Sequence, residues 1–157
     1  LGVTAGHDAW CGFIDADAFI VDVPRTAATN AYYDDRHYLL RFVGTWSHPI
    51  GGPYADAQDT TLSVTRIAED FVTFTFVGTI IQPCFSRAYN RGMVAITVDG
   101  EERAIIDLYA PGVERGYCPY YLLNAGVHTI HIANTGQKHP NSSDYFIDID
   151  YIWVAQQ

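Results

Sequence analysis

Helical patterning is nearly absent from this sequence: apolar residues do not recur every three to four positions over the length of a helix anywhere in the 157 residues. Cations are also scarce, nine Lys and Arg against eighteen Asp and Glu, for a net charge of −9. A phosphate backbone requires clustered Lys and Arg, so nucleic acid is excluded as a partner. An anionic membrane surface would repel the same charge, and the longest apolar stretches are only strand-sized, so membrane insertion is excluded too. The start, Leu1-Gly-Val-Thr, has neither a Met nor a basic leader region, which reads as a processed or cut edge. Six His residues occur without an H-E-x-x-H, G-x-S-x-G or phosphate-loop pattern, and no enzyme activity is expected.

Cysteine is sparse as well. Cys11, Cys84 and Cys118 contain no C-x-x-C pair, which argues against zinc. Cys84 and Cys118 each adjoin a proline, Pro83 and Pro119, and so lie near loops. A disulfide between them is the favoured reading, with three reduced, packed thiols as the alternative. Cys11 is then left over, for an intermolecular bond or as a free thiol.

Strand signals fill the space that helices leave. Phe71 to Val77 alternates through Val72, Phe74 and Phe76 with threonines between. Met93–Val98 runs into Asp99-Gly100, a strong hairpin turn, with Arg103–Tyr109 as the partner strand. Further strands are predicted over Tyr38–Val43, Thr60–Thr65, Val127–Ile132 and Tyr145–Val154, with long loops at 47–59, 82–92, 110–117 and 136–144. Short strands separated by Gly, Pro, Asn and Asp turns predict an all-β, two-sheet antiparallel β-sandwich of jelly-roll type.

One segment is repeated. Phe13-Ile-Asp-Ala-Asp-Ala-Phe-Ile-Val21 echoes Phe146-Ile-Asp-Ile-Asp-Tyr-Ile-Trp-Val154, sharing Phe, Ile, both Asp and the last Val. Residues 1–23 therefore read as an N-terminal arm, an extra strand like the last strand of a preceding copy, and 24–157 as the sandwich domain. A lone strand needs a sheet for its backbone groups. The arm can pair with its own domain or be donated to a neighbour, in which case Trp10, Phe13 and Phe19 would bury against it and Cys11 could lock the contact.

The run Tyr33-Asp-Asp-Arg36, Val43-Gly-Thr-Trp46, Gly78-Thr79, Asn90-Arg-Gly92, Val98-Asp-Gly100, Asp107-Leu-Tyr109, Gly126-Val-His-Thr-Ile130 and Phe146-Ile-Asp-Ile-Asp150 resembles the galactose-binding-like β-sandwich domains. These are related to carbohydrate-binding modules and are often repeated in extracellular bacterial proteins. The resemblance spans about residues 24–155 and implies a glycan-binding or spacer role outside the cell or on its surface. It also implies a structural Ca²⁺ as the one cofactor to test, between the first and last strands, with Asp34, Asp35, Asp148 and Asp150 as oxygen ligands. The residues alone read equally as turn caps or as partners of Arg36. Tyr54, Tyr89, Asn90 and Arg91 combine aromatic faces with polar donors, as a sugar contact requires, or else fill the sandwich ends and a turn. Trp46 and Trp153 fit the core.

Two functions follow. The first is a non-catalytic extracellular subunit that joins copies of itself head to tail through the arm, building a fibre or surface array. The second is a carbohydrate-binding module of a larger secreted enzyme or adhesin.

Overall fold

A computed structural model describes residues 31–156. The arm, with Trp10, Cys11, Phe13 and Phe19, lies outside the described residues. The described chain forms strands β1 (Ala31–Asp34), β2 (Arg41–Val43), β3 (Ser63–Thr65), β4 (Phe71–Arg87), β5 (Gly92–Val98), β6 (Glu101–Asp107), β7 (Glu114–Tyr117), β8 (Tyr121–Lys138), β9 (Ile147–Ile149) and β10 (Tyr151–Ala155). The larger sheet runs β1-β10-β4-β8-β5-β6, with β2 and β7 also paired to β4, and β3 with β9 makes a second, small sheet. All these ladders are antiparallel. The all-β sandwich predicted from the sequence is the fold observed.

Alternation decides which face is buried. In β4 the side chains of Val72, Phe74 and Phe76 turn into the core, and β8 answers with Ile130 and Ile132. From β5, Val94, Ile96 and Val98 join them. Phe85, Ile147, Ile149 and Ile152 complete one continuous core, each contributing about 1.5–3 kcal/mol through its burial. The predicted hairpin is present. Asp99 and Gly100 sit at φ 55° and 80°, as a two-residue turn of matching twist demands, and the Asp99 carboxylate accepts a bond from Thr129 N at 2.8 Å.

Two strands are unusually long: β4 has 17 residues and β8 has 18. They change partners midway, where Gly78 faces Gly126 and the register slips before Ile80. Before that point β4 pairs with β2, and after it with β10 and β7. A Cβ at Gly78 would lie 2.8 Å from both Ala155 O and Val154 Cγ1, so only glycine lets the end of β10 pass this closely.

Several predicted boundaries are corrected. The strand expected over Tyr38–Val43 starts only at Arg41, because His37 N bonds Asp34 O and Leu40 N bonds His37 O in successive turns. Thr60–Thr65 is strand only from Ser63, after a 3-10 turn over Gln58–Thr60. The loops expected at 82–92 and 110–117 are partly strand, so Cys84 lies within β4, where Ile81 and Phe85 keep feeding the core past Pro83. The closing strand Tyr145–Val154 is broken at Asp150. β9 before it pairs with β3, while β10 after it pairs with β1 and β4, so the backbone changes ladders there.

Candidate functional site

Four aspartates gather around that change of ladder. Asp35, Asp148 and Asp150 are buried and Asp34 is half-buried. Asp148 is enclosed by protein donors. Arg91 Nε and Nη2 reach its Oδ2 at 2.8 and 2.7 Å, Ser86 Oγ donates to the same oxygen, and Ser86 N donates to Oδ1 at 2.7 Å. Asp35 accepts the hydroxyls of Thr61 and Ser63, both at 2.5 Å. Asp34 Oδ2 accepts Arg36 N in a local turn, the reading the residues alone allow. Calcium takes six to eight oxygens. These carboxylates are instead satisfied by protein N–H and O–H groups and by one guanidinium. No group of three or more His, Cys, Asp or Glu able to hold a metal forms among the described residues. The donor set does not fit the ion that the resemblance implies.

Asp150 is electrostatically the most perturbed of the four. Burial pushes its carboxyl up to about 7, repulsion from Asp148 and Asp35 adds to the rise, and the bond from Gln58 N (2.9 Å) and the charge of Arg115 oppose it. Asp35 moves in the same direction, again chiefly through burial. A raised folded-state carboxyl contributes stability that is complete below the ordinary value of 3.8 and is lost as pH rises through about 7. His131, held low by burial, pulls the opposite way on acidification. Asp150→Asn is therefore expected to remove that decline, so that stability falls less with rising pH than in wild type between about pH 4 and 7. Thermal unfolding midpoints of the two proteins across that window are the measurement. Parallel profiles would refute the assignment.

The residues proposed for glycan contact scatter in role. Arg91 is corrected outright: it is buried, and its guanidinium is fully engaged with Asp148, Ser86 Oγ (2.8 Å) and Asn90 Oδ1 (2.9 Å). It holds the fold, and it occupies the amide oxygen of Asn90 as well. The Tyr54 ring is covered by the Arg115 guanidinium at 5.6 Å, itself tied to Asp56 and Pro53 O. Tyr89 alone of the four stays exposed, its carbonyl accepting Ser143 N at 2.9 Å.

A different aromatic set lines the outer face of the sheet, Tyr32 exposed and Tyr151 and Trp153 half-buried. Register places Tyr32, Trp153 and Gln82 side by side across β1, β10 and β4, with Tyr151 in the next row. Ile152 and Val154 alternate into the core, so Tyr151 and Trp153 turn to the opposite face. Tyr32, 66% exposed, lies 5.6 Å from Tyr151 and 6.4 Å from Trp153 between ring centroids. The expectation of a core Trp153 is thus reversed. Trp46 does pack against the core, its indole N–H donating to Val43 O. The Cys84–Cys118 disulfide is present. It borders the row, with Tyr151 Oη 3.5 Å from Cys118 Sγ and Gln82 Nε2 donating to Cys118 O at 2.8 Å. The sequence does carry a signal for this face: Tyr151 and Trp153 share a parity opposite to Ile152 and Val154.

No family model matches the chain, and no curated protein sequence does. Solved structures do. Xanthan lyase from Paenibacillus aligns over 85% of this chain and 13% of its own length, with a TM-score of 0.59 at 16% identity. A two-domain esterase active on acetylated mannans aligns over 86% of this chain and 39% of its own, with a TM-score of 0.59 at 14% identity. A family two carbohydrate esterase from Cellvibrio japonicus gives 82% and 34%, with a TM-score of 0.58 at 9% identity. At such identities the likeness establishes the fold, a β-sandwich like those found within carbohydrate-active enzymes. The chain spans well under half the length of each.

Proposed function

We propose that this chain is a non-catalytic glycan-binding module of a larger, secreted carbohydrate-active protein, with Tyr32, Tyr151 and Trp153 as its platform. The observation that carries the reading is the aromatic row on the outer face of the sheet, Tyr32 exposed beside half-buried Tyr151 and Trp153. Sugar rings present C–H faces that stack on such rings, while neighbouring amides such as Gln82 bond hydroxyls. The backbone ladders fix the spacing before any ligand arrives, which reduces the ordering cost of binding. Secretion accords with the Cys84–Cys118 disulfide, and the carbohydrate-active neighbours favour a module over a fibre subunit. The fibre reading rests on the sequence echo, whose N-terminal half lies outside the described residues.

The test is affinity electrophoresis of the chain through gels containing xanthan, acetylated mannan or other soluble polysaccharides. Retardation by at least one is expected, and Trp153→Ala should weaken it about tenfold or more, the usual scale for a central aromatic contact. Free migration in every gel, or retardation that survives Trp153→Ala and Tyr32→Ala together, would end the proposal.

A further inference from the structure

A second concave site lies beyond the end of β1, away from the row. It is a cavity of about 320 Å³ lined by Asp35, Arg36, Tyr38, Leu40, Phe42 and His48, among others. One wall, the exposed His48, is held from inside the protein. Asp35 is fully buried, and Ser63 donates to it. Ser63 Oγ in turn meets His48 Nδ1 at 2.6 Å. The Ser63 hydroxyl donates to Asp35, so its oxygen is left to accept Nδ1–H from His48. The imidazole is thereby fixed with Nε2 as its free lone pair, and Nε2 has no hydrogen-bond partner among the described residues. Asp35 and Ser63 are positioning residues for His48.

The other side of the cavity supplies donors and apolar surface. Arg36 Nη2 bonds the carbonyls of His48 and Pro49, which pins the two loops together and leaves Nε and Nη1 without hydrogen-bond partners among the described residues. Phe42 and Leu40 form the floor, with the Phe42 ring 5.0 Å from that of His48. Tyr38 stands at the rim, 79% exposed, yet its ring is steadied against His37 at 4.5 Å.

The geometry points to a subsite for one neutral pyranose ring, deepening the glycan-binding reading on which it rests. Tyr38 and Phe42 meet the C–H faces, Arg36 donates to one hydroxyl, and His48 Nε2 accepts from another. The cavity lies at the low end of the roughly 300–1,000 Å³ of ligand sites, which suits one ring rather than a chain. The buried carboxyl behind the wall and the net charge of −9 disfavour an acidic sugar.

The test titrates the intact chain with methyl glycosides of glucose, galactose, mannose and xylose, following the His48 ring resonances by NMR. At least one glycoside should shift them. Tyr38→Ala should weaken that binding about tenfold. Ser63→Ala should weaken it by a smaller factor and change the His48 tautomer signature, which a purely structural serine would not do. If no glycoside moves His48 while polysaccharide retardation persists and depends on Trp153, the pocket assignment is wrong and the platform stands. If neither glycosides nor polysaccharides bind, both proposals fall together.

Discussion

Arg91→Ala is expected to destabilise the domain by about 3–5 kcal/mol, the scale for removing one partner of a buried ion pair. Arg91 and Asp148 are both buried, and the deletion leaves an uncompensated carboxylate with only Ser86 as donor. Lysine is no substitute, since a single ammonium cannot reproduce the Nε and Nη2 contacts to one oxygen while bonding Ser86 and Asn90. Asp148→Asn should also destabilise, because it leaves the buried Arg91 guanidinium without a counter-charge, although the amide oxygen can still accept from it. The effect reaches the proposed platform through the chain: Asp148 anchors β9, and β9 leads directly into the strand that carries Tyr151 and Trp153. Denaturant unfolding of the wild type and both variants measures this. A loss under about 1 kcal/mol for Arg91→Ala, with an unchanged slope, would show that the pair is not structurally required.

Removing the Cys84–Cys118 disulfide is expected to cost about 4 kcal/mol. The bond closes a loop with a sequence separation of 34, and the unfolded chain regains that freedom when the cross-link is lost. The bond ties β4 to the segment after β7, and Cys118 contacts both Gln82 and Tyr151. Reduction should therefore loosen the border of the aromatic row as well as lower global stability. The comparison is urea unfolding of the chain with and without a thiol reductant, alongside a Cys84→Ala, Cys118→Ala double variant. The wild type should fall toward the variant under reductant, and the variant should not respond. Equal midpoints for all samples would mean that the bond is absent in solution or that the loop retains its order without it.

Much of the scaffold is legible in the order of residues. The alternation of Val72, Phe74 and Phe76 and the Asp99-Gly100 turn are local signals, since side-chain parity and positive φ are properties of a few consecutive residues. The pairing of Cys84 with Cys118 follows from there being two proline-flanked cysteines to join. The site is less legible. Asn90 and Arg91 look like a polar loop in sequence, and Arg91 proves buried because Asp148, 57 positions away, lies beneath it. Asp148 and Asp150 look like one ligand pair on one strand, yet a change of ladder hands the first to Arg91 and the second to Gln58.

The sequence by itself determined an all-β sandwich and its hairpin and favoured its disulfide, because periodicity and turn chemistry are written in short stretches of chain. Only the tertiary structure decided that Trp153 faces outward beside Tyr32, that Arg91 is a core cation, and that His48 is aligned by Ser63 and Asp35 at the wall of a cavity. Period-two alternation divides a strand into two faces without saying what covers either one. Which face is left open, and which distant donor meets a given carboxylate, depends on register between strands far apart in sequence, and that register exists only once the chain has closed on itself.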